Sequence, residues 1–239
     1  MEKSWNEKTY NEFKEKLKSL AKYESDIDRQ RHLAIINTKQ YVYGLKMSDI
    51  RALAKEISKN EPLEFLKYAK NDSYEETLIQ GIVIAGIKDL EIQKKLFLDW
   101  VQNIDSWSTC DTTVSSMKVL KNSKEKNKYF EHYENLCYSG KEFVARFGII
   151  VLMVCYLEEE YIDELLSMCK KVTNEKYYVQ MGLAWLISFA FMKFRDKTFE
   201  LLKEKSLPKF VQNKAISKCR DSYQVIKEDK EKLISFRIK

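Results

Sequence analysis

An indole and a carboxylate stand four residues apart at Trp107 and Asp111. Residues with this spacing share one face of a helix, and Asp105 or Ser106 can begin that helix by accepting a hydrogen bond from an unpaired backbone N–H. A carboxylate beside an aromatic ring is an arrangement that stabilises positive charge. The structural alternative is that Trp107 fills the core and Asp111 complements the helix dipole.

Arg146 and Trp185 are two further residues that could serve such a site. Arg146 stands alone in the apolar stretch 143–157, where an unpaired buried charge is costly, so its guanidinium must reach solvent or a carboxylate. Snorkelling to the surface or a structural ion pair would satisfy this charge, and so would contact with a phosphate. Trp185 lies in a second apolar helix, where most tryptophans belong to the core.

The sequence lacks the motifs of most other chemistries. It contains no GxGxxG segment, no P-loop and no Ser/His/Asp or Cys/His set, and we expect His32 and His132 to be surface residues. The cysteines are scattered without a CxxC pair, which argues against a disulfide framework and a zinc site. We therefore expect reduced thiols and neither a metal nor a cofactor. The five cysteines are Cys110, Cys137, Cys155, Cys169 and Cys219.

The composition indicates a helical protein. Two prolines and six glycines among 239 residues leave few of the turns that a sandwich or barrel needs, while 44% apolar residues can form a sizeable core. A net charge of +6 with 36 acidic residues is compatible with nucleic acid as a partner without requiring it. The residues after Met1 contain no apolar signal segment, and the stretch 143–157 is too short to span a bilayer. We therefore expect a cytoplasmic protein without membrane contact.

Four apolar helices repeat one pattern, with Gln80, Arg146, Gln180 and Gln212 at the equivalent position. These residues are separated by 66, 34 and 32 positions, and the gap of 66 holds two periods, with the Trp107 helix in the missing place. A period of about 33 residues with two helices per unit is typical of an α-solenoid of the HEAT or armadillo kind, whose repeats curve around a concave surface. No linker interrupts the pattern, so we predict an all-α fold with a single repeat domain over residues 1–239.

Capping residues locate the individual helices. We predict that Ser48 caps one helix, that Pro62 begins the next, and that Asp72 or Ser73 caps the helix after it. The helix of Trp107 is predicted to run to residue 120. The first two turns of this helix would then carry Trp107 and Asp111, whose indole and carboxylate could stabilise a cation.

The segments that carry these residues resemble the DNA alkylation repair family, the HEAT-like alkylpurine DNA glycosylases of the AlkD type. The family's two tryptophans, aspartate and arginine fall without a gap on Trp107, Trp185, Asp111 and Arg146, and this spacing is the specific part of the resemblance. The chain departs from the family at Met47-Ser48, where many relatives carry proline after the glycine-containing loop. The similar segments cover nearly the whole chain: Tyr43-Gly44-Leu45-Lys46, Arg51-Ala52-Leu53-Ala54-Lys55, 107–111, 143–148, 178–185, Asn213-Lys214-Ala215-Ile216 and Ser222-Tyr223.

The resemblance implies a monofunctional DNA glycosylase that acts on double-stranded DNA containing alkylated bases. A purine alkylated at N3 or N7 is positively charged and leaves without being protonated, while its deoxyribose gains oxocarbenium character. Asp111 as a carboxylate, with Trp107 and Trp185 as aromatic walls, would stabilise that cation, and Asp111 could also hold the attacking water. The resemblance further implies a concave basic face that grips the DNA backbone and leaves the base stacked rather than flipped. No lysine is placed for a Schiff base, so we expect no lyase step.

Phosphate contacts complete the expected site. Arg146 would bind a phosphate beside the lesion and keep Asp111 ionised. Two other functions fit the same sequence: a non-catalytic binder of branched or damaged DNA, and a HEAT scaffold that binds proteins. We expect a monomer associated with the nucleoid. Further phosphate contacts, each with a merely solvated position as its alternative, are expected at Lys46, Arg51, Lys214, Lys218 and Arg220.

Overall fold

The computed structural model describes residues 4–21, 23 and 25–239, and these residues form 15 α-helices, two short 3-10 helices and one isolated β-bridge between Tyr41 and Ser73. The chain divides into two compact units, Met1–Ser123 and Lys124–Lys239. The all-α prediction is confirmed for the described residues, and a single continuous domain stays a prediction. Residues 1–3, which belong to the segment where no signal is expected, lie outside the described residues.

The first unit stacks alternate helices side by side. Helix α5 packs between α3 and α7 and is buried along nearly its whole length, while α1 buries one side through Tyr10, Phe13 and Leu17, as their spacing predicts. A 3-10 helix, Val101–Asn103, follows α6. The α-helices of this unit are α1 (Glu7–Ser19), α2 (Asp26–Ile36), α3 (Met47–Lys59), α4 (Pro62–Tyr68), α5 (Tyr74–Ala85), α6 (Leu90–Trp100), α7 (Trp107–Ser115) and α8 (Lys118–Lys121).

The second unit repeats this arrangement. It begins with a 3-10 helix, Lys126–Tyr129, and its α-helices are α9 (Phe130–Cys137), α10 (Glu142–Cys155), α11 (Ile162–Lys171), α12 (Tyr177–Lys193), α13 (Arg195–Glu204), α14 (Lys209–Asp221) and α15 (Lys227–Ile234). Helix α12 packs between α10 and α14, and these three helices carry the aligned residues Arg146, Gln180 and Gln212. Helix pairs stacked at this period are those of an α-solenoid, which confirms the predicted fold class.

The helix starts test the capping predictions. Ser106 caps α7, Ser73 caps α5 and Pro62 occupies the first turn of α4, as predicted. The prediction for Ser48 is wrong: Lys46 is the N-cap of α3, without a side-chain cap bond, and Ser48 lies inside the first turn. The helix of Trp107 is also shorter than predicted, because it ends after Ser115 and a separate helix follows.

Gly148 allows two helices of the second unit to approach closely. A Cβ atom at this position would lie 2.7 Å from the Tyr133 carbonyl oxygen and 2.9 Å from the Cys137 backbone nitrogen. Backbone atoms of α9 cannot yield as a flexible side chain can, so only glycine fits. The contact fixes α10, and with it Arg146, against the preceding helix.

All five cysteines are free and buried, and burial raises the pKa of the Cys137 thiol well above its usual range. In the described part of the chain no group of three or more His, Cys, Asp or Glu side chains is arranged to hold a metal ion. None of the helices in this part combines the length and the apolar character needed to cross a membrane.

Candidate functional site

Trp107 and Asp111 lie on one side of α7, at the boundary between core and solvent. Trp107 is the first residue of the helix and Asp111 follows one turn later, and both are half-buried. The core-facing side of the helix is formed instead by Cys110, Thr113 and Val114, which are fully buried. Trp107 is therefore not core filler, and a ligand can reach both side chains.

The end of α2 anchors the start of α7. The Ser106 hydroxyl donates to the Ile36 carbonyl oxygen at 2.6 Å and accepts from the Ser108 backbone N–H. The Trp107 indole N–H donates to the Ile35 carbonyl oxygen at 2.9 Å. Since this N–H is occupied, the orientation of the indole is fixed and only its ring can contact a ligand.

A second set of bonds secures the same helix start. Asp105, one of the two candidate caps, instead accepts from the Thr38 hydroxyl at 2.5 Å and the Lys39 backbone N–H at 2.7 Å. On the other side, the Ser108 hydroxyl lies 2.7 Å from the Tyr74 hydroxyl. These contacts hold the first turn of α7 from two directions, which preorganises the indole and the carboxylate.

Both histidines are half-buried rather than freely exposed. His32 Nδ1 lies 2.6 Å from the Tyr23 hydroxyl, and its ring meets the Tyr74 ring edge-on at 6.4 Å. Burial raises the pKa of Tyr23 to about 12. His32 is thus a neighbour of Tyr74, whose hydroxyl contacts α7, although sequence reasoning assigned it no role.

Arg146 is buried in the second unit, with an exposed fraction of only 5%. Its Nη1 donates to the Tyr178 carbonyl oxygen at 2.7 Å, and its guanidinium carbon lies 5.9 Å from the centroid of the Tyr178 ring. One turn earlier on α10, the Glu142 carboxylate accepts from the Tyr178 backbone N–H at 2.8 Å. Residues four apart on α10 therefore hold both backbone groups of Tyr178, the carbonyl oxygen and the N–H.

Trp185 lies on the same side of α12 as the residue that Arg146 contacts. Tyr178, Gly182, Trp185 and Phe189 follow a helical repeat of three and four residues, which places them along one side. A Cβ atom at Gly182 would lie 3.6 Å from Nη1 of Arg146, an ordinary contact distance. Trp185 is half-buried and meets the Phe189 ring edge-on at 5.8 Å, so it is not a core residue.

Lys214 and Lys218 of α14 form a basic cluster with Arg146. Both lysines are half-buried. Burial, together with the positive charges of Lys214 and Arg146, lowers the pKa of the Lys218 ammonium, and Asp221 opposes this shift. Because Lys214 and Arg146 both disfavour the charged form of Lys218, an anion bound there would stabilise the ammonium. Arg220 is exposed but lies about 160° around the helix axis from Lys218, on another side of α14.

The predicted contacts of the first unit are both exposed: Lys46 is the N-cap of α3, and Arg51 lies within that helix. A buried carboxylate positions the loop before this helix: Glu75 accepts from the backbone N–H groups of Tyr43, Gly44 and Leu45 at 3.0, 2.6 and 3.2 Å. Sequence reasoning assigned Glu75 no role, because nothing near it in the chain reveals its partners.

Met47-Ser48, where the chain lacks the proline of many relatives, does not disrupt the start of α3. The two residues occupy its first two positions, and the helical hydrogen bonds begin with the Asp49 N–H, which donates to the Lys46 carbonyl oxygen at 2.9 Å. The first N–H groups of a helix have no partner within the helix, so these positions accept proline or any other residue.

The structure thus places the four expected site residues as two pairs, Trp107 with Asp111 in the first unit and Arg146 with Trp185 in the second. Glu142 was missed, although its position four residues before Arg146 on a helix could have revealed it. A family model described as DNA alkylation repair enzyme matches residues 13–219. No curated protein and no solved structure matches the chain.

Proposed function

Because the chain belongs to the DNA alkylation repair enzyme family, whose role is DNA repair, we propose that it is a monofunctional DNA glycosylase of the AlkD type. Its substrates are N3- and N7-alkylated purines in duplex DNA, and it leaves an abasic site. The observation that carries this proposal is the fixed pair of Trp107 and Asp111 at the solvent boundary of α7. No cofactor or metal has a part in the reaction.

The reaction needs electrostatic stabilisation more than acid catalysis. An alkylated purine leaves as a neutral base, and the positive charge moves to the deoxyribose as the glycosidic bond breaks. A carboxylate and an aromatic face that are already oriented stabilise this charge without reorganising at the moment of reaction. Asp111 supplies the carboxylate and positions the attacking water, while Trp107 supplies the aromatic face. Trp185 is a further aromatic residue with which the protein contacts DNA, and the base stays stacked in the duplex.

The excision assay is the direct test of this function. A duplex with a single N7-methylguanine is incubated with the protein, and abasic sites are detected by strand cleavage in alkali. We expect cleavage at the lesion only after incubation with protein, and an otherwise identical duplex with guanine serves as the control. Binding of the lesion duplex without any abasic site would instead favour the second candidate, a non-catalytic binder of damaged or branched DNA.

This second candidate is supported by the basic cluster of Arg146, Lys214 and Lys218. The cluster requires only phosphate as its partner and is independent of the carboxylate on α7. DNA binding by such a surface weakens steeply with salt, because each phosphate contact releases counterions. Salt-insensitive binding would exclude both DNA functions and favour a protein scaffold.

Arg146→Ala is expected to weaken DNA binding by removing one phosphate contact. The slope of log affinity against log salt should become shallower by about 0.9 for duplex DNA. The substitution also removes a hydrogen bond from a charged donor to the Tyr178 carbonyl oxygen, so the free energy of unfolding should fall by about 1.5–3 kcal/mol. Titrations at several salt concentrations and thermal melting measure the two effects.

Lys170→Ala is a matched control, since it removes a cation from α11 that pairs with Glu204 at 3.3 Å. Its salt slope should equal that of the wild type. An unchanged slope in Arg146→Ala, with a lower melting temperature, would show that Arg146 is purely structural.

A further inference from the structure

Four aromatic rings form a row in the second unit at the starts of α10, α12 and α14. We call this row the aromatic strip; it consists of Phe143, Tyr177, Tyr178 and Phe210. Neighbouring ring centroids are 5.4 Å apart from Phe143 to Tyr178, 5.2 Å from Tyr178 to Tyr177, and 6.1 Å from Tyr177 to Phe210. Tyr177 and Phe210 are exposed by 55% and 39%. Single exposed rings are common, but adjacent rings that form a continuous apolar patch are typical of a binding site.

Lysines accompany the aromatic strip at the same helix starts. Lys141 and Lys176 are the N-caps of α10 and α12, and Lys209 is the first residue of α14. All three are exposed. Two acidic residues lie close by in the chain: Glu142 is occupied by the Tyr178 backbone N–H, and Glu175 is exposed beside Lys176. The surface along the strip therefore carries more positive than negative charge.

We propose that the aromatic strip binds single-stranded DNA, with unpaired bases stacked on Tyr177 and Phe210 and phosphates held by Lys176 and Lys209. Alternating aromatic rings and cations match a strand that alternates bases and phosphates, and such stacking accepts any base. A duplex cannot use the rings, because its base faces are already covered by their neighbours. The inference rests on DNA as the partner but not on glycosylase activity.

The strip also continues into the site already described. Tyr178 contributes its ring to the strip and its carbonyl oxygen to Arg146. A strand whose phosphate contacts Arg146 can therefore extend along the strip where it is unpaired. This continuity favours DNA over a peptide as the occupant.

The test measures binding of a fluorescent 12-mer of thymidine by anisotropy. We expect the wild type to bind it, and Tyr177→Ala and Phe210→Ala each to weaken the affinity by about tenfold or more, the usual loss for one stacked base. Combining Lys176→Gln with Lys209→Gln should make the salt slope shallower by about 1.4, at about 0.7 for each phosphate of a single strand. Tyr223→Ala, which removes a fully exposed tyrosine beyond the other end of α14, is the matched control and should bind as the wild type does.

Three results would overturn the proposal. The first is a wild type that does not bind the oligonucleotide at low salt. The second is a double variant, Tyr177→Ala with Phe210→Ala, that binds it as tightly as the wild type. The third is a wild type that sediments as a dimer and a double variant that sediments as a monomer, because the strip would then bind a second copy of the chain. Melting temperatures within the range of the control establish that the variants are folded. Failure of the excision assay would leave this result unaffected, so the two proposals fail separately.

Discussion

Asp111→Asn is expected to lower the rate of N7-methylguanine excision by at least about a hundredfold, the usual loss when one preorganised electrostatic group is removed from a site. The substitution keeps the shape of the side chain and removes the charge that stabilises the oxocarbenium ion. Because Asp111 is half-buried on a helix whose start is anchored by α2, little reorganisation can compensate for it. Single-turnover excision from a duplex with one lesion measures the effect.

Asp99→Asn provides the matched control for this experiment. Asp99 is an exposed residue of α6 in the same unit, so the substitution changes the net charge equally without altering α7. The control should excise at the wild-type rate, and both variants should bind undamaged duplex as the wild type does. If Asp111→Asn retains wild-type excision, Asp111 is not the catalytic carboxylate.

The second large effect concerns the charge of the lesion. N3-methyladenine and N7-methylguanine should be released, whereas hypoxanthine and 1,N6-ethenoadenine should not. A neutral purine leaves as an anion unless an acid protonates it, and a carboxylate that stabilises a cation cannot serve as that acid. The barrier differs by several kcal/mol between the two classes, and each 1.36 kcal/mol or so changes the rate tenfold.

Matched duplexes, each with one of these lesions, measure this selectivity at neutral pH and moderate salt. Comparable rates on hypoxanthine and N7-methylguanine would contradict the mechanism, because they require a proton donor. His32 would then be the first residue to substitute, since it contacts Tyr74, whose hydroxyl lies 2.7 Å from that of Ser108 beside Trp107. His32→Gln would abolish release of hypoxanthine if that imidazole were the donor.

Helix positions could be predicted from the sequence because the governing interactions are local. The buried side of α1 follows from the spacing of Tyr10, Phe13 and Leu17, and Ser106 caps α7 through a bond to a residue two positions away. Ser48 shows where local reasoning fails. Ser48 and the acidic residue after it fit the interior of a first helical turn as well as a helix start. The start of α3 is set instead by the preceding loop, whose backbone is held by Glu75.

Only the tertiary structure decided what holds the site residues. The indole of Trp107 bonds a carbonyl oxygen 72 residues away in the chain, and the guanidinium of Arg146 bonds one 32 residues away. Because every residue carries a backbone carbonyl, the sequence cannot reveal which carbonyl oxygen accepts a hydrogen bond from a given side chain. The pKa of Lys218 is lowered mainly by burial, with further contributions from the charges of Lys214 and of Arg146 on another helix, and all of these depend on packing. Spacing along the chain could mark Trp107 with Asp111, and the family resemblance added Arg146 and Trp185 as candidates. Packing between helices set the burial and the hydrogen-bond partners of these side chains.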